Sequence, residues 1–306
     1  MSSTTQKQIV WLITDGKPGH QNQSEGLVQA LAEKTPIRIM RLPVLPFWKT
    51  LYAYLVHKHH LLKLAPKPVI VIGAGHATHA TLLLTKILFG TKTIVLMKPS
   101  LPLWLFNLAV IPEHDKVKPG NRVEITRGVL NKIKIEGDKK INQGVMLIGG
   151  PSRHHDWNEA QLLEQLNKII DALPHIEWVI ADSRRTPAET SGALKQLAAE
   201  KVTFVSCEEV DSDWLPALLS ASTYAWVTVD SVSMVYEALT AQCQVGLLDV
   251  PPLQQSRVSR GLQSLVDENY AVTFRQWQAD ESFGELKVFA SEAERCAGII
   301  NRRFMK

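Results

Sequence analysis

Short apolar, β-branched runs alternate with longer segments of helical periodicity along the whole 306-residue chain. Strands are predicted at Gln8 to Thr14, Pro36 to Leu42, Pro68 to Gly73, Thr93 to Met97, Leu108 to Ile111 and Arg122 to Thr126. Helices are predicted between them at Gln21 to Glu33, Trp48 to Leu64 and His76 to Phe89. After a polar stretch, Lys132 to Gln143, the alternation restarts. Strands follow at Gly144 to Ile148, Glu177 to Ala181, Val202 to Val205, Tyr224 to Val229 and Gln244 to Leu248. Helices at Asn158 to Ala172, Ala188 to Glu200, Trp214 to Ser220, Val232 to Leu239 and Gln254 to Asp267 separate them. Short continuous apolar strands alternating with helices predict an α/β protein with parallel sheets buried on both faces. The expected organisation is two Rossmann-like units, 1–140 and 141–284, joined by a linker over 137–143 and facing a cleft. A C-terminal helix over about 285–306 is expected to pack back on the first unit.

Composition narrows the class. With 45% hydrophobic and 21% charged residues the chain is that of a folded protein, not a disordered, collagenous or coiled-coil one. No apolar run reaches the roughly 20 residues of a membrane span, and the polar first residues predict neither a secretory nor a transit peptide. Three widely spaced cysteines, Cys207, Cys243 and Cys296, form neither a disulfide framework nor a zinc signature, so a cytoplasmic protein is expected. The net charge of +4 conceals an asymmetry. Residues 1–140 carry 20 Lys/Arg against 8 Asp/Glu, or +12; the remainder carries 14 against 22, or −8. A basic half suits an anionic membrane surface, a phosphorylated acceptor or nucleic acid; an uneven solvated surface is the plainer reading.

Four polar stretches at strand ends hold the candidate chemistry. Asp15-Gly16-Lys17-Pro18-Gly19-His20, with Gln23, follows the first strand and opens a helix whose first N–H groups favour an anion or a sugar hydroxyl. His20 suits proton transfer near neutral pH. Gly149-Gly150-Pro151-Ser152-Arg153 closes the first strand of the second unit; its glycines permit close backbone approach to a phosphate, and Ser152 and Arg153 can bond phosphate oxygens. Ser183-Arg184-Arg185 places paired arginines after another strand, suited to a diphosphate or to a surface ion-pair cluster. Asp230-Ser231-Val232-Ser233-Met234, with Glu237, starts a helix after a buried strand. Asp230 and Ser231 read as N-caps or as part of a phosphate site, and Glu237 as a ribose ligand or an exposed helix residue. Gly73-Ala74-Gly75-His76-Ala77-Thr78 lacks the third glycine of a dinucleotide fingerprint, and no Walker loop is present. No His/Cys/Asp/Glu spacing points to a metal, so neither metal nor cofactor is expected.

Together these stretches resemble the mitochondrial-fission ELM family. The matching pieces are Asp15-Gly16-Lys17-Pro18-Gly19-His20 with Gln23, Gly26 and Leu27; Pro112-Glu113-His114-Asp115; Leu147-Ile148-Gly149-Gly150; Ser183-Arg184-Arg185-Thr186-Pro187; and Val227-Thr228 with Asp230-Ser231-Val232-Ser233-Met234 and Glu237-Ala238. The chain departs from the family at Ser212-Asp213-Trp214 and at Ala241-Gln242-Cys243-Gln244-Val245. The resemblance implies a GT-B glycosyltransferase working without an essential metal. It would move a sugar from a nucleotide-sugar donor, a substrate rather than a cofactor, to a membrane-linked glycan or lipid acceptor such as a lipopolysaccharide core. It implies that Gly149, Gly150, Ser152, Arg184, Ser231 and Ser233 hold the diphosphate and Glu237 the ribose. Arg153, Ser183, Arg185, Asp230 and Met234 complete the expected donor site. His20 or Asp15 is expected as base, with Gly16, Lys17, Gly19 and Gln23 on the acceptor-side loop. The competing class is a non-catalytic membrane adaptor, as the family name suggests; an epimerase is disfavoured because neither a dinucleotide fingerprint nor a Tyr-x-x-x-Lys pair is found. An anionic membrane surface, reached through the Trp48 to Lys67 stretch on the inner face of the cytoplasmic membrane, is the expected partner, and nucleic acid is not.

Overall fold

The computed structural model describes residues 7–46, 48, 52, 66–135, 137–253 and 257–305. The chain divides into two compact units: unit 1 is Met1–Lys132 with Ser291–Lys306, and unit 2 is Ile133–Ala290.

Unit 1 contains β1 (Gln8–Thr14), α1 (Pro18–Lys34), β2 (Ile37–Pro43), β3 (Ile70–Ala74), α2 (His79–Phe89), β4 (Lys92–Leu96), β5 (Leu108–Pro112) and β6 (Val123–Thr126). The six strands form one parallel sheet ordered β2-β1-β3-β4-β5-β6. Strand alternation divides its core. Val10 and Leu12 of β1 join Ile70 and Ile72 on one face under α1, while Trp11 and Ile13 join Val71 and Val95 on the other. α1 starts with Pro18 at a position whose N–H has no helical partner, and buries Leu27, Val28 and Leu31 against the first face.

Unit 2 contains β7 (Lys140–Leu147), α3 (Glu159–Ala172), β8 (Glu177–Ala181), α4 (Ala188–Gln196), β9 (Val202–Val205), α5 (Trp214–Ala221), β10 (Ser222–Thr228), α6 (Val232–Thr240), β11 (Gln244–Leu248), α7 (Arg257–Asp267), β12 (Ala271–Thr273) and α8 (Phe274–Asp280). Its parallel sheet runs β12-β11-β10-β7-β8-β9. Trp178, Trp226 and Trp277 are fully buried on one side of it, Trp226 and Trp277 packing edge-on with ring centroids 5.2 Å apart. The last helix, α9 (Glu292–Phe304), returns to α1 and inserts Ala293, Cys296, Ala297 and Ile300 into the unit 1 core. Ser291 caps it by accepting the Glu294 N–H. Arg295 ties it to the sheet through Glu124 and the Ile125 carbonyl.

Several expectations change. Residues 140–143 are not linker but the start of β7, because Lys140 and Gln143 already pair with neighbouring strands. α4 stops at Gln196, four residues early, where Ala199 turns back to pair with Val202. β12 and α8 were not expected at all. The Trp48 to Lys67 helix lies outside the described residues except for Trp48 and Tyr52, both exposed and helical, and 66 and 67.

Candidate functional site

Each sheet reverses its strand order once. In unit 1 the chain builds β2 on one side of β1 and then crosses to β3 on the other; in unit 2 it builds β8 and β9 beside β7 and then crosses to β10. At such a switch point the loops leaving two adjacent parallel strands diverge and open a crevice at their C-terminal ends. The candidate residues of both units gather there.

In unit 1 the loop after β1 brings Asp15 to His20. His20 Nδ1 lies 2.9 Å from Asp15 Oδ2, with the carboxylate 4% and the imidazole 19% exposed. An ionised carboxylate can only accept, so Nδ1 carries the hydrogen and, in the neutral ring, Nε2 is the nitrogen with the lone pair. Asp15 Oδ1 accepts the Lys17 N–H. Burial raises the Asp15 carboxyl, but the His20 and Lys17 hydrogen bonds outweigh it and hold the group below its usual range. The loop after β3 completes the arrangement. Gly75, at φ +79°, lies against the imidazole: a Cβ there would fall 2.3 Å from His20 Cε1. A shallow recess of about 40 Å³ opens beside the pair, lined by Thr14, His20, Gln21, Ser24, Glu25 and Arg41. Glu25 and Arg41 form a two-pronged ion pair at its rim, 2.6 and 2.7 Å.

Two of the expected loop residues are elsewhere. Gln23 lies inside α1 and is 8% exposed, so it is not on the loop. Gly19 and His20 belong to the first turn of α1, which begins at Pro18, leaving Gly16 and Lys17 as the turn itself.

In unit 2 the loops after β7, β8 and β10 are stitched together. Asp230, whose side chain is fully buried, accepts the Gly150 N–H at 3.0 Å and Arg185 Nη2 at 2.7 Å on the same oxygen, Oδ2. Arg185 Nη1 donates to the Gly150 carbonyl at 2.9 Å. Thr228 accepts the Gly149 N–H, and Thr186 Oγ1 lies 2.5 Å from the Gly149 carbonyl while accepting the Ser183 N–H. Asp230 Oδ1 is buried without a hydrogen-bond partner among the described residues.

This network corrects the expected roles. The Gly149 and Gly150 N–H groups are taken by Thr228 and Asp230 and are not free for phosphate. The two glycines are required for packing, since a Cβ on Gly149 would meet the Asp230 carboxylate at 2.2 Å and one on Gly150 the Arg185 carbonyl at 2.0 Å. Asp230 is no N-cap. Ser231 occupies the cap position of α6 without a side-chain cap bond, so its hydroxyl does not cover the first N–H groups of that helix. Ser152 Oγ accepts the N–H groups of His154 and His155, and Arg153 Nε meets His154. Burial, with His154 and Arg185 nearby, pushes the His155 imidazole below its usual range against the pull of Asp230. Ser183 Oγ accepts the Arg185 N–H. Arg184 is exposed and makes no hydrogen bond or ion pair among the described residues. Ser233 is exposed on the first turn of α6, and Met234 and Glu237 are half-buried on it. Asp211-Ser212-Asp213 is a helix start, with Asp211 Oδ1 accepting the Asp213 and Trp214 N–H groups. Among the described residues no three His, Cys, Asp or Glu side chains converge as a metal site, and no helix is long and apolar enough to cross a membrane. The sequence reading missed Gly75, Glu25, Arg41 and the internal roles of Thr186 and Thr228; the two threonines stood in the matching motifs, and Gly75 in the incomplete fingerprint.

The family model described as Mitochondrial fission ELM1 matches residues 18–304. The chain belongs to the ELM1 family. An uncharacterized protein of Rickettsia prowazekii is 25% identical to it over 351 aligned residues, covering 95% of this chain and 97% of that protein. Among solved structures, a Listeria monocytogenes protein described as a candidate UDP-N-acetylglucosamine 2-epimerase superposes with TM-score 0.62 at 11% identity, covering 97% of each chain. UDP-GlcNAc 2-epimerase from Neisseria meningitidis, bound to UDP-GlcNAc, gives 0.52 at 13% identity over 97% of this chain and 98% of that one. MurG from Acinetobacter baumannii gives 0.50 at 14% identity over 96% and 99%. At these identities the likeness is one of fold. This ELM1-family chain has the two-unit GT-B architecture.

Proposed function

We propose that this ELM1-family protein is a glycosyltransferase that moves a sugar from a nucleotide diphosphate sugar to a glycan or lipid acceptor at a membrane. The observation that carries a catalytic reading over an adaptor one is the Asp15–His20 pair at the unit 1 switch point, an oriented imidazole with Nε2 left as a base. In this reading unit 1 supplies the proton acceptor and unit 2 the donor site. The acceptor O–H bond gives its proton to His20 Nε2 as the acceptor oxygen bonds the anomeric carbon and the anomeric carbon–phosphate oxygen bond breaks. Arg184 and the first turn of α6 stabilise the departing diphosphate, and Glu237 holds the ribose hydroxyls. A cation and a helix terminus in these roles need no metal. Support for the nucleotide comes from the fold neighbour bound to UDP-GlcNAc. Support for a membrane acceptor comes from the +12 charge of residues 1–140 and the exposed Trp48 and Tyr52, which suit an anionic surface such as the inner face of the cytoplasmic membrane.

A second reading is 2-epimerisation of the donor sugar. Neighbours described as 2-epimerases share this fold, so the missing dinucleotide fingerprint does not weigh against it. Thermal-shift screening against nucleoside diphosphates identifies the donor class, a ligand at 100 times its Kd adding about 2.7 kcal/mol. Incubation of the matching nucleotide sugar with and without lipid-linked glycans then separates the readings. Acceptor-dependent release of nucleoside diphosphate marks transfer; a C2-inverted sugar without an acceptor marks epimerisation; stabilisation by no nucleotide at all sinks both. Vesicle flotation with and without phosphatidylglycerol, at low and high salt, tests the membrane.

A further inference from the structure

The adjacent arginines of unit 2 stand in opposite electrostatic situations. Arg185 is fixed at both ends of its guanidinium, Nη2 on Asp230 Oδ2 at 2.7 Å and Nη1 on the Gly150 carbonyl at 2.9 Å. Its charge is matched by a carboxylate that has no solvent exposure. Asp230 Oδ2 also takes the Gly150 N–H, so one oxygen joins the loops after β7, β8 and β10. Arg184, one residue earlier on the same turn, is exposed and pairs with no described residue. A guanidinium held through both Nη atoms is not free to reorient toward a phosphate, and pulling it away strands a carboxylate that has no solvent exposure.

We propose that, of these two adjacent arginines, Arg184 is the diphosphate-binding one, whereas Arg185 with Asp230 is a positioning pair that fixes the shape of the switch-point loops. The division rests on the donor reading above and refines it. It explains why two glycines occur at 149 and 150: the Gly149 Cα faces the Asp230 carboxylate and the Gly150 Cα faces the Arg185 backbone, so only bare Cα atoms let the pair form. It also gives consecutive residues different consequences on mutation. Loss of Arg184 removes a ligand contact from an intact scaffold. Loss of Arg185 or Asp230 loosens three loops at once.

Calorimetric titration tests the division, using the best-binding nucleoside diphosphate, its nucleoside and inorganic pyrophosphate, with melting curves for every variant. Arg184→Ala is expected to keep the wild-type Tm, weaken the diphosphate and pyrophosphate about 10-fold or more, and leave the nucleoside unchanged. Arg185→Ala and Asp230→Ala are expected to lower Tm by several degrees and to weaken nucleoside and diphosphate by the same factor. The double variant Arg185→Ala/Asp230→Ala is expected to be no less stable than Arg185→Ala, because no carboxylate is left stranded. If Arg185→Ala does not fold, Arg185→Lys, which keeps the charge and one bond, is expected to fold and to melt below wild type with an unchanged diphosphate-to-nucleoside ratio. A selective loss of diphosphate in either Arg185 variant at wild-type Tm overturns the division. A wild type that binds none of the probes, with the Tm pattern intact, removes the donor reading and the Arg184 role while supporting the positioning pair.

Discussion

His20 Nδ1 and Asp15 Oδ2 are 2.9 Å apart across the start of α1, and this contact sets which nitrogen of the imidazole can take a proton. His20→Ala is expected to lower kcat by about 10²–10⁴ while leaving donor affinity near wild type, as loss of a general base does. Steady-state kinetics paired with calorimetry checks this; parallel loss of stability and activity would reduce His20 to a loop-shaping residue.

Asp15 also predicts a pH dependence. Its folded carboxyl titrates below the usual 3.8. The unfolded chain therefore binds more protons between the two values, so the stabilisation is present above about pH 3.8 and is lost as pH falls through the folded value. Asp15→Asn should remove that part of the acid-unfolding curve. Denaturant melts of both proteins across the acid range read it; superimposable acid limbs would contradict it.

Gly75 holds the other side of the imidazole. Gly75→Ala combines a Cβ 2.3 Å from His20 Cε1 with an L residue at φ +79°, and is expected to cost about 1–3 kcal/mol. Activity should fall further than Tm implies, because the ring is displaced from Asp15. Wild-type turnover in a destabilised Gly75→Ala would mean that the ring position is immaterial.

α9 is expected to be indispensable to unit 1 despite its distance in sequence. Ile300 is fully buried in the unit 1 core, so Ile300→Ala should cost about 2–5 kcal/mol. Removing residues 291–306 should leave β1, α1 and β3 cleavable under limited proteolysis. Protection equal to wild type in the truncated chain would refute the packing role.

The cysteines give a labelling prediction. Burial pushes the Cys243 thiol up to about 11, against the pull of Lys139, and the Cys296 thiol up to about 12, against Arg295. Cys207 is half-buried, and burial together with Asp182 raises it too. Alkylation of the folded protein at neutral pH should proceed slowly at Cys207 and leave the other two intact. As pH rises past 9.0 the unfolded chain releases thiol protons that the folded one keeps, so stability should decline there. Peptide mapping by mass spectrometry and alkaline melts report the two effects.

The sequence by itself determined the alternation of strands and helices. Runs such as Gln8–Thr14, Glu177–Ala181, Val202–Val205 and Gln244–Leu248 are bounded in the structure as their apolar residues predict. A strand buried on both faces must be apolar throughout, so local composition suffices. β12 has three residues and runs directly into α8, which is too little chain to show a period. The chemistry-bearing stretches were legible because polar residues collect where a buried strand ends, and Asp15 and His20 are close enough in the chain to be read together. Only the tertiary structure decided what those residues do. Gly75 reaches His20, and residues 150, 185 and 230 reach one another, because parallel strands place their C-terminal ends side by side. Two neighbouring arginines look alike in sequence. The buried carboxylate across the sheet, 45 residues further on, separates them, because a charge removed from water must be paired wherever the fold places it.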